Sequence, residues 1–180
     1  ALSITTTGTT TGETDDGIYA RNDGTDLTIN AATTTGNKYG INAFNDGTGA
    51  LSITTTGTTT GETDDGIYAF NSSDSTGDLT INAATTTGAV EGIEAVNTGT
   101  GALSITTTGT TTGETDDGIA ANNSSAGTDL TINAATTTGN KYGILVYNFG
   151  SSALSITTTG TTTGETNDGI YAKNNGTDLS

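Results

Sequence analysis

Four short loops of nearly identical acidic pattern carry the side chains in this sequence best suited to chemistry. Glu13, Asp15 and Asp16 recur as Glu62, Asp64 and Asp65, again as Glu114, Asp116 and Asp117, and finally as Glu165, Asn167 and Asp168. Hard carboxylate oxygens on a tight turn are the ligands Ca2+ prefers. The glycine-aspartate nonapeptide that marks calcium-binding β-helices is absent. A solvated acidic turn accounts for the same residues, so calcium stands as an alternative and no cofactor is required. Catalysis is a poor fit. Enzymes that cleave glycans need one carboxylate pair in one groove, or a metal with a basic neighbour, whereas these acids are multiplied like scaffold parts. With no His and no Cys in the chain, neither a Ser-His-Asp arrangement nor a thiolate site is available. The chain is read as non-enzymatic.

Three further sets of residues recur. Thr-Thr-Thr-Gly runs begin at Thr9 and Thr33 and continue along the chain. If the middle threonine points inward, the outer two form a flat double row of hydroxyls and methyls. Such rows resemble those of β-helical antifreeze proteins, which makes ice a second alternative ligand; the plain reading is that Thr is a soluble strand former. Tyr19, Phe44, Tyr68, Phe70, Tyr147 and Tyr171, interleaved with Arg21, Val96 and Lys173, share one outward face. They offer lateral contact or glycan stacking, or merely stiffen the molecule by stacking on one another. Asn22, Asn45, Asn71, Asn97, Asn123, Asn148 and Asn174 close an Ile-x-Ala-x-Asn pattern, with Val146 replacing one alanine. Stacked asparagines hydrogen-bond along an axis, so these read as a structural amide ladder at a turn.

The elements that must position these side chains follow from the repeat. Ala-Leu-Ser-Ile-Thr starts at Ala1, Ala50, Ala102 and Ala153, and each long repeat splits into two related halves. Units begin at Leu2, Leu27, Leu51, Leu79, Leu103, Leu130 and Leu154, with Leu179 opening an eighth, so the fundamental unit is about 25 residues long. From the leucine to the isoleucine of the Gly-Ile motif there are 16 positions in every first half and 14 in every second half. From that isoleucine to the next leucine the count wanders from 9 to 12. A fixed core followed by one length-tolerant segment means ordered strands and a surface loop in each unit. Alternation has period two, with Leu2 and Ile4 on one face and Ile18, Ala20 and Asn22 on another, so the elements are strands. Glycines mark the bends.

Three short strands per 25-residue unit describe a coil of an all-β, right-handed, single-stranded parallel β-helix with seven complete coils spanning residues 1–180 as one segment. Right-handedness follows the usual crossover preference. One coil cannot bury its apolar face, but stacking sets leucine on leucine and isoleucine on isoleucine. Such stacking explains how a chain that is only 30% hydrophobic, with a formal net charge of -16, escapes the disorder that this composition otherwise predicts. At about 4.8 Å per coil the stack spans roughly 34 Å.

Composition narrows the partners. Four basic residues against twenty acidic ones argue against nucleic acid and against an anionic lipid surface. No apolar run is long enough to cross a bilayer as a helix. The open coil ends are strand edges on which further copies would stack into a filament.

The combination of Leu-[Ser/Thr]-Ile-Thr, Thr-Gly-Thr-Thr-Thr-Gly, Gly-Ile-x-Ala-x-Asn and Gly-Thr-Gly resembles repeats in the passenger domains of Gram-negative autotransporters and related haemagglutinin-like adhesins. The resemblance covers the whole chain and touches scaffold positions only. It implies a secreted segment of a longer protein at the bacterial surface, serving adhesion, aggregation or biofilm. Its implied partners are neighbouring fibres, by self-association along or beside the axis, and glycans of host or cell surface.

Overall fold

The computed structural model describes all 180 residues and is a parallel β-solenoid of seven coils, each with three short strands and no helix. Each coil begins with a leucine strand: Leu2–Thr5, Leu27–Ala31, Leu51–Thr55, Leu79–Ala83, Leu103–Thr107, Leu130–Ala134 and Leu154–Thr158. A threonine strand follows: Thr9–Gly12, Thr33–Gly36, Thr58–Gly61, Thr85–Gly88, Thr111–Gly113, Thr137–Gly139 and Thr162–Gly164. An asparagine strand completes the coil: Ile18–Asn22, Ile41–Asn45, Ile67–Asn71, Ile93–Asn97, Ile119–Asn123, Ile144–Asn148 and Ile170–Asn174. Like strands pair in parallel across coils and make three seven-stranded sheets, called here the leucine, threonine and asparagine sheets.

Register is like on like in the inward leucine, isoleucine, threonine and asparagine columns. Leu27 pairs with Leu51, Thr34 with Thr59, and Ile41, Ala43 and Asn45 with Ile67, Ala69 and Asn71. The branched Cβ of Thr and Ile suits these strands, and the period-two alternation drives Leu, Ile and Ala inward. Twenty-six buried apolar residues, all Leu, Ile, Ala or Val, form one continuous cluster along the axis. The core is therefore narrow and filled by small side chains, so a low hydrophobic content suffices.

Turns are laddered as well as strands. The amide of Gly40 donates to Asp65 O at 3.2 Å, Gly66 to Glu91 O at 3.0 Å, Gly92 to Asp117 O at 3.1 Å and Gly118 to Tyr142 O at 3.0 Å. These glycines are set by close approach, since none has a positive φ. A Cβ on Gly66 would sit 2.5 Å from Thr86 Cγ2 and 2.7 Å from the carbonyl oxygen of Gly92. The turn from the asparagine strand to the next leucine is where coil length varies. It runs from Asp23 to Asp26 in the first coil and from Ser72 to Asp78 in the third.

Candidate functional site

All 24 charged residues lie on the asparagine sheet or in its two flanking turns. From each leucine to the glycine that ends the next threonine strand, no coil carries a charge. The rod is thus two-sided, with two neutral hydroxyl-bearing faces and one charged, aromatic face.

On the charged side, the acidic loops form the turn before the asparagine strand. Glu13, Glu62, Glu114 and Glu165 are exposed, as are Asp15 and Asp168, while Asp64 and Asp116 are half-buried. The second aspartate has a structural partner in the next coil. Asp16 Oδ1 accepts the amide of Tyr39 at 3.4 Å, Asp65 Oδ1 that of Glu91 at 3.1 Å, and Asp117 Oδ1 that of Tyr142 at 3.1 Å. The first aspartate meets lysine in two places, Asp15 with Lys38 at 2.9 Å and Asp116 with Lys141 at 2.5 Å. Lys38 donates a hydrogen bond to Asp15 and holds its carboxyl below the ordinary range, but both groups are largely exposed and water screens the pair.

The fourth coil departs from this scheme. Where the second and sixth coils read Asn-Lys-Tyr-Gly-Ile, it reads Ala-Val-Glu-Gly-Ile, and Glu94 stands outward on its asparagine strand. The carboxylates of one acidic loop do not converge on a point; instead Asp65, from the third coil, meets Glu91 and Glu94. One oxygen of each lies within 4.8 Å of the others, and no lysine balances the trio. Asp65 is only 2% exposed. Burial raises its carboxyl well above the usual range, with Glu91 adding to the effect. Burial also raises Glu94, and it pushes Asp117 up to about 6. Sequence reasoning missed Glu91 and Glu94; the only signal was that one coil has Val90 in place of lysine, Glu91 in place of tyrosine, and Glu94 where the second and sixth coils carry Asn42 and Leu145.

The outward aromatics form two patches rather than one stripe. In the first three coils Tyr19 packs against Phe44 with ring centres 6.1 Å apart, Phe44 against Tyr68 at 5.4 Å and against Phe70 at 6.2 Å, and Tyr39 joins Tyr68 at 5.9 Å. In the last two, Tyr147 lies 5.9 Å from Tyr171 and 6.0 Å from Phe149. Glu94, Val96, Ala120 and Asn122 separate the patches.

Inward of this face runs an unbroken chain of amides. The Nδ2 of Asn22 donates to the Oδ1 of Asn45 at 2.8 Å, and the pattern continues through Asn71, Asn97, Asn123, Asn148 and Asn174 at 2.9 to 3.2 Å. The second amide hydrogen is used too, for example from Asn45 to Gly49 O and from Asn97 to Gly101 O, both 2.9 Å. Asp26, Asp78 and Asp129, which sequence reasoning did not single out, accept the amides of Ala50, Ala102 and Ala153 at 2.8 to 3.0 Å. Their signal was available: an aspartate precedes the leucine of every second-half coil.

On the threonine sheet the middle threonines point inward; Thr34, Thr59, Thr86, Thr111 and Thr137 are fully buried and their hydroxyls have no partner. Their flanking threonines stand outward in two in-register columns, as in Thr58 and Thr60 beside Thr85 and Thr87. No protein-family model, curated protein or solved structure matches the chain.

Proposed function

We propose that this chain is a structural rod, a length of secreted surface stalk that spaces or bundles other parts and performs no catalysis. The observation that carries the reading is the unbroken like-on-like register. Inward leucine, isoleucine, threonine and asparagine pair with their own kind across all seven coils in three sheets, and the amide chain runs the whole length. A chemical site needs one special place, whereas a load-bearing element needs every cross-section equivalent. The motif resemblance to autotransporter passengers supports placing the rod outside the cell, and the absence of Cys suits passage through an oxidising compartment.

The two-sided charge pattern favours side-by-side association of rods through the neutral leucine and threonine faces. With a net charge of -16, contact between two charged faces sets like against like. Antibody labelling of intact source cells tests the location. Labelling without permeabilisation is the expected result, and labelling only after permeabilisation would rule out a surface stalk.

A further inference from the structure

We propose that the cleft between the fourth and fifth coils on the charged side binds a primary alkylammonium group, the head and stem of a short diamine or of a lysine side chain. The cleft has a volume of about 300 Å3, the lower end of the range for small-ligand sites. Glu91, Glu94, Asp116 and Asp117 give it a carboxylate lining, and Val96, Ala120, Leu145 and Tyr147 an apolar one. Register sets Glu94, Ala120 and Leu145 in one outward column and Val96, Asn122 and Tyr147 in the next. Glu94 and Leu145 are two coil rises apart, about 10 Å.

This trough exists because of one substitution. Tyrosine stands at the position of Ala120 in the other three first-half coils, as Tyr19, Tyr68 and Tyr171, and here its ring is missing. A second observation is a buried carboxylate with an unused oxygen. Asp117 lines the cleft and is only 3% exposed. Its Oδ1 accepts the Tyr142 amide at 3.1 Å, and no donor of the chain reaches its Oδ2. Lys141 pairs with Asp116, but no ion pair of the chain involves Glu91, Glu94 or Asp117. Burial and the charge of Asp116 push Asp117 up to about 6, and burial with the charge of Glu91 raises Glu94. Elsewhere on this face the chain supplies its own cation. Lys38 meets Asp15 at 2.9 Å, and Lys173 Nζ lies 5.6 Å from the Phe149 ring centre. In the fourth coil Val90 takes the place of that lysine.

The two kinds of lining select the ligand. A divalent metal would take the carboxylates and leave the apolar lining unused. An alkylammonium uses both. Its head donates to Glu91, Glu94 and Asp117, and its methylenes lie along Ala120 and Leu145 beside the Tyr147 ring. The inference does not depend on the rod reading, since either stands if the other fails.

The test titrates cadaverine and a capped lysine, Nα-acetyl-lysine methylamide, into the whole 180-residue chain at neutral pH, followed by backbone amide NMR shifts. The neutral diol of cadaverine's length and calcium chloride are the comparators. Glu94→Gln removes one charge at constant shape, and Ala120→Tyr fills the trough with the residue of the other first-half coils. Circular dichroism checks that both variants fold. The expected result is saturable shifts at Glu94, Ala120 and Leu145 with both amines, with binding weakened about tenfold in Glu94→Gln and lost in Ala120→Tyr. Shifts with cadaverine alone would support the site as one for free diamines. Three results overturn the proposal: neither amine shifts these amides, the diol or calcium binds as tightly as the amines, or both folded variants bind as well as the parent.

Discussion

The inward threonines show how a single residue type both builds and weakens the rod. Thr86 lies against Gly66, so a larger side chain has no room, yet its hydroxyl has no hydrogen-bond partner. Replacing a buried unpaired hydroxyl by a methyl of the same shape removes a desolvation cost. Thr86→Val is expected to stabilise the fold by about 1 kcal/mol, raising the melting temperature by roughly 2–4 °C; a drop in the thermal melt would show that the hydroxyl has a role. The buried acidic residues of the third, fourth and fifth coils set a second prediction. Asp65, Glu94 and Asp117 all hold a proton more tightly folded than unfolded, burial being the main cause in each. Stability from such groups is complete below their unfolded pKa, 3.8 for aspartate, and is lost as pH rises through the folded value, about 6 for Asp117 and higher for Asp65. Melting temperature should therefore fall as pH rises from about 4 to about 8, and Asp65→Asn should raise it at neutral pH and flatten the slope. A melting temperature that climbs over that range in the parent would contradict this. The leucine and isoleucine positions were legible because apolar residues at period two have only one place to go. The Asp65–Glu91–Glu94 meeting was not, because it joins two coils through turn geometry that one-dimensional spacing does not encode.

At the scale of elements, three strands per coil were readable from the fixed spacings of 16 and 14 residues, and the variable stretch marked the tolerant turn. The reason is visible in the turn itself. Between Asn71 and Leu79 the chain takes extra residues by tucking Ser75 inward, its Oγ donating to Gly49 O at 2.5 Å, without disturbing the flanking strands. Both turns have amides laddered to the next coil, but the turn before the asparagine strand is pinned in addition by its second aspartate, whose side chain accepts an amide of the next coil. Inserting Gly-Ser-Gly between Thr98 and Gly101 should cost under about 1 kcal/mol. The same insertion between Glu114 and Asp117 should cost several times more, as urea melts of the two variants will show; equal costs would mean that both turns are equally constrained. The split of the aromatics into two patches was hidden from the sequence. Their common phase was evident, but the gap depends on Glu94, Val96, Ala120 and Asn122 lying beside one another across coils.

For the whole molecule, charge on one side and hydroxyls on the other two give the rod a direction for assembly. Sedimentation at rising concentration should show side-by-side association that Thr60→Glu with Thr112→Glu abolishes, since both stand outward on the threonine sheet; association unchanged by these charges would place the contact elsewhere. Stiffness and assembly both rest on coils that rise evenly along one axis. Paired spin labels at Thr35→Cys and Thr138→Cys test this. Register places the two residues in the same column four coils apart, so the backbone separation should be about 19 Å, four rises of about 4.8 Å. A single narrow distance distribution near that value, allowing for the label arms, is the predicted result. A broad distribution, or one centred far beyond it, would contradict the stacked rod.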